Sequence, residues 1–271
     1  MTNQIAFIGG GNMASALISG LLKNGTPPGS IHVVEPSESA RQSLSARLGV
    51  HASASAGEGL AGAGMVVWAV KPQVFKVACQ GVGELAPKAL HLSVAAGIRT
   101  DSMARWLGSE RIVRAMPNTP ALIGQGVCGL YARPGATPAD RDAASGLIAA
   151  TGQFIWLEDE SLLDAVTALS GSGPAYVFYL MEALVAAGVR IGFSPEQAKL
   201  LALGTCSGAS ALAAQSSESP QTLRQQVTSK GGTTHAAITA LESAHFLDIV
   251  DAAVRAAHVR AKELGDEFGA G

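Results

Sequence analysis

Three consecutive glycines, Gly9-Gly10-Gly11, join the strand-sized apolar run Ile5 to Ile8 to the helical pattern that begins at Asn12-Met13-Ala14. This G-x-G-x-x-A spacing restricts what the first forty residues can build. Gly9 permits a tight turn, Gly11 lets the backbone approach a diphosphate, and Ala14 allows helix and strand to pack closely. The free N–H groups that open the helix then face an anion. Gly9, Gly11, Asn12, Met13 and Ala14 are therefore expected to form a dinucleotide-binding turn.

The pattern that follows supports such a turn. Short β-rich runs at Ile5 to Ile8, Ile31 to Val34, Met65 to Val70, Leu90 to Val94, Arg111 to Ala115 and Gly126 to Tyr131 alternate with helical stretches as far as about Leu157. Alternation of this kind reads as βαβ units on a mostly parallel sheet, and the runs are continuously apolar, as strands buried on both faces are. After Glu158 the β-type runs stop, and residues rich in Ala, Leu, Glu and Gln follow with helical spacing, including Leu180, Leu184, Leu200, Leu201 and Leu212. Ser194-Pro195-Glu196-Gln197 and Ser219-Pro220 mark helix starts, with a cap residue and proline at the first helical position. The expected division is residues 1–158 as a dinucleotide-binding domain and 159–271 as an all-helical domain.

Composition excludes several classes. With 48% apolar and 15% charged residues, the 271-residue chain has ample material for two buried cores and little tendency to disorder. A net charge of −2 without basic runs argues against nucleic acid as a partner. The longest apolar stretch, Pro174 to Phe193, is interrupted by Glu182 and Arg190, so it reads as a core helix and no membrane span is expected. Without a basic leader or a cleavage site ahead of Ile5, the expected location is cytoplasmic. Cys79, Cys128 and Cys206 are odd in number and far apart, which suits reduced structural thiols and neither a disulfide framework nor a metal site.

Further candidates fall at the ends of the predicted strands, the edge where open α/β sheets bind ligands. Glu35 lies about twenty residues past the glycines, where an acid would accept the ribose 2′-hydroxyl and repel a 2′-phosphate. Ser37 and Arg41 stand where they would instead cradle that phosphate, so NADPH and NADH are both expected cofactors. Ala69-Val70-Lys71-Pro72-Gln73 offers a lysine at a strand end, and Ser93-Val94-Ala95-Ala96-Gly97 and Met116-Pro117-Asn118-Thr119-Pro120 place small residues and a proline-bounded amide on the same edge. The loop Thr228 to Thr234, with Gly231 and Gly232 among hydroxyls, opens onto an alanine-rich helix and suits an anion.

Taken together, Phe7 to Ala14, Ala69 to Gln73, Ser93 to Gly97, Arg114 to Pro120, Ser170-Gly171-Ser172-Gly173-Pro174-Ala175-Tyr176 and Thr228 to Thr234 resemble the successive signatures of the pyrroline-5-carboxylate reductase family over nearly the whole chain. The resemblance implies an N-terminal Rossmann-type doubly wound sheet followed by an all-α C-terminal dimerisation domain. It also implies interlocked dimers that often assemble into decamers, and reduction of a small cyclic imine, L-1-pyrroline-5-carboxylate, to L-proline by NAD(P)H. Carried over by residue, Ser229, Gly231, Gly232 and Thr233 of a neighbouring subunit would hold the substrate carboxylate, chiefly through the Gly232 and Thr233 N–H groups and the Ser229 hydroxyl. Thr234 would act at the imine nitrogen. Ala69, Val70, Lys71, Pro72, Ala95, Ala96, Gly97 and Asn118 would line the cofactor pocket, and Ser170 to Gly173 would start the long helix of the dimer core. Lys230 stands where proline is expected in many relatives.

Such chemistry asks little of side-chain acids. A protonated imine is already electrophilic, so the main demand is to hold the reacting carbons within about 3–3.5 Å and exclude water. No Ser-His-Asp set, metal-ligand spacing or carboxylate pair occurs among these motifs. Thr234 is a hydrogen-bond partner and a weak acid at best. His235, His245 and His258 read as surface or packing residues, and Tyr176 and Tyr179 as packing on an apolar helical face. A hydroxyacid dehydrogenase would need a lysine or histidine in Ser170 to Arg190, which has neither. A non-catalytic dinucleotide sensor would have no need of Thr234 and the glycine loop, and a reductase of another small cyclic imine shares every feature above.

Overall fold

The computed structural model describes residues 4–269. In chain order the elements are β1 (Gln4–Ile8), α1 (Asn12–Lys23), β2 (Ile31–Val34), α2 (Glu38–Leu48), β3 (His51–Ser53), β4 (Ala63–Trp68), α3 (Pro72–Ala78), α4 (Val82–Leu85), β5 (Leu90–Ser93), α5 (Thr100–Leu107), β6 (Ile112–Met116), β7 (Gly126–Ala132), α6 (Pro138–Ala149) and β8 (Gly152–Leu157). Six helices follow: α7 (Leu162–Val166), α8 (Gly173–Arg190), α9 (Pro195–Gln215), α10 (Pro220–Gln226), α11 (Thr233–Ser243) and α12 (Phe246–Gly269).

The eight strands form one sheet in the order β3-β2-β1-β4-β5-β6-β7-β8. All neighbouring pairs are parallel except β6 with β7. Because successive side chains on a strand point to opposite faces, β1 sends Phe7 into one core with Leu17, Ile18, Val33 and Val67, and Ala6 and Ile8 into the other with Val66, Trp68, Phe75 and Met103. Helices cover both faces, which is why β4 and β1 after Gln4 carry no polar side chain apart from the Trp68 indole. Along α1 the buried residues Ala14, Leu17, Ile18 and Leu21 repeat at helical spacing and lay one stripe against the sheet. The order of strands reverses direction at β1, which sits between β2 and β4, so the loops after β1 and β4 diverge and leave a crevice at their carboxyl ends.

Two strands go beyond the sequence reading. His51–Ser53 carries no β-branched or aromatic residue and owes its conformation to pairing with β2. Gly152–Leu157 alternates between exposed and half-buried positions, as an edge strand does.

The chain divides into two compact units, residues 1–172 with 257–271, and residues 173–256. The sheet unit thus extends past residue 158, because Leu163 of α7 is fully buried and, with Val166, lies against Gly129 of β7. The Ser170–Gly173 segment was expected to start the long helix. The helical run instead begins at Leu162, and Thr167–Gly171 is a π-turn within it, closed by the Ser172 N–H donating to Thr167 O at 2.8 Å. The Thr167 and Ser170 hydroxyls donate back to Leu163 O (2.7 Å) and Val166 O (3.1 Å), a local competition that widens such turns.

In the second unit, α8 and α9 pack together, and α9 starts with the predicted cap: Ser194 and Gln197 form a reciprocal capping box. Ser219 caps α10 with its side chain alone, accepting from the Thr222 N–H. The helical run Leu162–Arg190 is long and apolar enough to cross a membrane, by length and composition. Many apolar side chains of its α8 portion are uncovered within a single chain, Phe178 being 63% and Tyr179 74% exposed.

Candidate functional site

The first turn is built as its glycines demand. Gly9 adopts φ +97°, and a Cβ there would lie 2.7 Å from the Ala69 carbonyl oxygen, so only glycine lets the end of β1 pass this close to the end of β4. Gly11 caps α1 with no side-chain hydrogen bond, nothing lies within 4 Å of where its Cβ would be, and the first turn carries no acid. The first intrahelical bond is Ser15 N–H to Gly11 O, which leaves the Asn12, Met13 and Ala14 N–H groups without a helical partner. An open backbone cradle with uncapped N–H groups at the positive end of a helix dipole fits a diphosphate.

The other candidates are arrayed on the same sheet edge. Glu35 follows β2, and its carboxylate accepts from the Gly10 N–H (3.0 Å) and the Ser37 N–H (2.9 Å). Ala69 and Val70 sit against Gly9, and Lys71 is the exposed residue before α3, with Pro72 at its first position. Ala95, Ala96 and Gly97 follow β5, where the Ala95 N–H is held by the Ser93 hydroxyl (3.2 Å). Asn118 follows β6 and is 8% exposed, and both ends of its amide are engaged. Its Nδ2 donates to Ser170 O in the π-turn (3.1 Å), and its Oδ1 accepts from the Val127 N–H (3.0 Å). Asn118 thus braces the edge, and its side-chain amide has no polar atom left unengaged.

One cluster beneath this edge escaped sequence reasoning. Arg114, 3% exposed in the middle of β6, pairs with Glu160 (3.1 Å) and faces Asp164 (3.9 Å). Glu160 also accepts from the Thr100 N–H (2.8 Å) and hydroxyl (2.5 Å), so one carboxylate ties the start of α5 to β6 and to the segment before α7. Both loops that carry Ala95–Gly97 and Asn118 are anchored by it. The available signal was an arginine inside an otherwise apolar strand, since a charge in such a place is paired.

The second candidate site lies in the helical unit. Ser229 to Gly232 forms a turn closed by Gly232 N–H to Ser229 O (3.0 Å), with Gly231 at φ +75°. The Ser229 hydroxyl lies over Gly232, where a Cβ would meet it at 2.6 Å. Gly232 caps α11 without a side-chain hydrogen bond, and the first helical bond is Ala236 N–H to Gly232 O at 3.1 Å. At the turn expected to hold a carboxylate, the Gly232 N–H also donates within the turn, whereas those of Thr233, Thr234 and His235 have no helical partner. Thr234 is half-buried, and Lys230 and His235 are exposed.

Among the described residues no group of three His, Cys, Asp or Glu side chains is arranged to hold a metal ion. Burial pushes the thiols of Cys79 and Cys128 up to about 12, so neither is a nucleophile.

A doubly wound sheet with an open glycine cradle at its switch point, joined to a helical unit with a second uncapped anion-type turn, defines a dinucleotide-dependent oxidoreductase of two-part construction. Residues 160–264 match the family profile described as pyrroline-5-carboxylate reductase dimerisation, and residues 4–97 match that of NADP oxidoreductase, coenzyme F420-dependent. The chain is 44% identical over 270 residues to a pyrroline-5-carboxylate reductase of Pseudomonas aeruginosa, covering 99% of both chains, and 37% identical to that of Arabidopsis thaliana over 96% of this chain and 95% of that one. A solved pyrroline-5-carboxylate reductase of Coxiella burnetii superposes with TM-score 0.92 at 40% identity, covering 97% of this chain and 99% of that one. The Plasmodium falciparum enzyme with NADP bound superposes at 0.86 and 29% identity, with 97% and 98% covered. The chain belongs to the pyrroline-5-carboxylate reductase family. The dimerisation match spans α8 and its uncovered apolar face, and a chain with this domain forms a homo-oligomer.

Proposed function

We propose that this protein reduces L-1-pyrroline-5-carboxylate to L-proline with NAD(P)H in the cytoplasm. The reading is carried by full-length similarity to enzymes named for that substrate, and the two uncapped helix starts give it chemical sense. Residues 1–158 are assigned to dinucleotide binding and 159–271 to substrate binding and dimerisation. Gly9, Gly11, Asn12, Met13 and Ala14 would hold the diphosphate. Ala69 to Pro72 and Ala95 to Gly97 would flank the rest of the cofactor, held in place by Asn118 and the Arg114–Glu160 pair. When bound, the reduced nicotinamide supplies the hydride for the imine carbon.

The Thr233 and Thr234 N–H groups with the Ser229 hydroxyl would grip the substrate carboxylate, and Gly231 and Gly232 shape that turn. In an interlocked dimer the turn comes from a partner protomer, and five such dimers would give a decamer. The Thr234 hydroxyl, which makes no hydrogen bond to another described side chain, would steady the imine nitrogen and exclude water from it. Catalysis then rests on placement and not on a strong side-chain acid. Oxidation of NAD(P)H on addition of pyrroline-5-carboxylate tests the reading directly. Thr234→Ala should lower turnover by about tenfold or more while leaving dinucleotide affinity unchanged, as loss of a transition-state hydrogen bond predicts. Wild-type turnover in that variant would remove Thr234 from the mechanism, and no oxidation by the wild type would overturn the assignment.

A further inference from the structure

We infer that this chain selects NADH over NADPH, and that Glu35 makes the selection. The inference rests on the reading that a dinucleotide lies across the Gly9–Ala14 turn. An acid after β2 falls beside the adenosine ribose of such a ligand, but its sequence position alone left two roles open, because Ser37 and Arg41 nearby suit a 2′-phosphate. The structure separates these roles.

Glu35 does not swing free in solvent. One carboxylate oxygen accepts from the Gly10 N–H at 3.0 Å and the other from the Ser37 N–H at 2.9 Å. Gly10 runs close beside the same side chain, where a Cβ built on it would lie 3.4 Å from both Cβ and Cγ of Glu35. A carboxylate has roughly four acceptor positions. Two are taken by the glycine turn and the α2 corner, and two remain for the paired hydroxyls of an unmodified ribose. A 2′-phosphate offers no such donor and brings about −1.5 to −2 charges of its own against a carboxylate that is held in place.

The groups that would have to welcome that phosphate are engaged in building the corner. Arg41 folds back, its Nη1 donating to Glu35 O (2.9 Å) and Pro36 O (2.7 Å). The Ser37 hydroxyl caps α2 through the Ala40 N–H (3.4 Å) and shares a hydrogen bond with the Ser39 hydroxyl (3.1 Å). The Gly10 and Ser37 N–H groups, the natural backbone donors to an anion here, already hold Glu35. Arg41 is therefore turned onto backbone carbonyls and leaves the Glu35 carboxylate, held by Gly10 and Ser37, to read the ribose.

The test measures binding of NADH and of NADPH to the purified full-length protein by calorimetry, with no imine present. NADH is expected to bind at least tenfold more tightly. Glu35→Gln and Glu35→Ser should each bring the ratio to within threefold of one or reverse it, and Arg41→Ala should leave it unchanged. Equal or tighter NADPH binding by the wild type, an unaltered ratio in both Glu35 variants, or selective loss of NADPH affinity in Arg41→Ala would each overturn the inference. Binding of neither dinucleotide would overturn it together with the cofactor site. A wild type that prefers NADH yet reduces no pyrroline-5-carboxylate would instead overturn the proposed function and leave the inference standing.

Discussion

Replacing Asn118 by leucine separates a brace from a ligand. The amide is nearly buried and links Val127 at the start of β7 to Ser170 in the π-turn. Leucine has similar volume but orphans the Val127 N–H and the Ser170 carbonyl, and each buried polar group left unpaired costs about 1–3 kcal/mol. Partial relaxation toward water at the sheet edge brings the sum to roughly 2–4 kcal/mol, which for a chain of this size lowers Tm by about 5–15 °C. Asn118→Asp keeps the acceptor for Val127 but sets a carboxylate against the Ser170 carbonyl, so it should also be destabilising. Thermal unfolding of the three proteins, with and without saturating dinucleotide, is the assay. If the amide is a brace, the loss appears without ligand and the increment in Tm on adding dinucleotide changes little. Unchanged Tm in the free variants, with that increment abolished, would refute this and make the side chain a ligand.

His91 gives a prediction about pH. It is fully buried in β5, its Nδ1 accepts from Trp68 Nε1 at 3.3 Å, and its Nε2 has no partner. Burial, and then the nearby Arg111 charge, lower its pKa to about 4. Below the unfolded value of about 6.5 the unfolded chain binds a proton that the folded one refuses, so stability falls as pH drops from about 6.5 to 4, by about 3 kcal/mol from this group. His91→Leu should flatten that dependence, and a Tm profile between pH 7 and pH 4.5 as steep as wild type would contradict it. The thiols give a third test: native protein at pH 8 should take up a thiol reagent at half-buried Cys206 alone, and denatured protein at Cys79 and Cys128 as well. Mass spectrometry showing Cys79 or Cys128 modified in the native protein would contradict their burial.

Much of this molecule could be read locally. The glycine turn, the alternation of buried strands with helices and the caps at Ser194 and Ser219 each depend on residues within a few positions of one another, and steric and hydrogen-bonding rules act at that range. β3 could not be read so, because His-Ala-Ser has no strand preference of its own, and neither could the antiparallel direction of β7, which no local pattern encodes. The π-turn at Thr167–Gly171 sits in a Ser/Gly-rich stretch that looks like a helix start until Asn118, 52 residues earlier, takes its carbonyl. Arg114 and Glu160 meet across 46 residues, and Glu35 and Gly10 across 25.

The sequence by itself determined the sheet's alternating plan, the anion-type turns and the family to which the chain belongs, since those rest on short motifs in fixed order. Only the tertiary structure decided what each candidate side chain is free to do: Asn118 is held at both ends, the Gly232 N–H closes its own turn, and Glu35 is clamped in place while Arg41 is folded away. The physical reason is that a polar group's role depends on which of its hydrogen-bonding positions remain open once distant segments have packed, and those partners are set by the fold and not by sequence spacing.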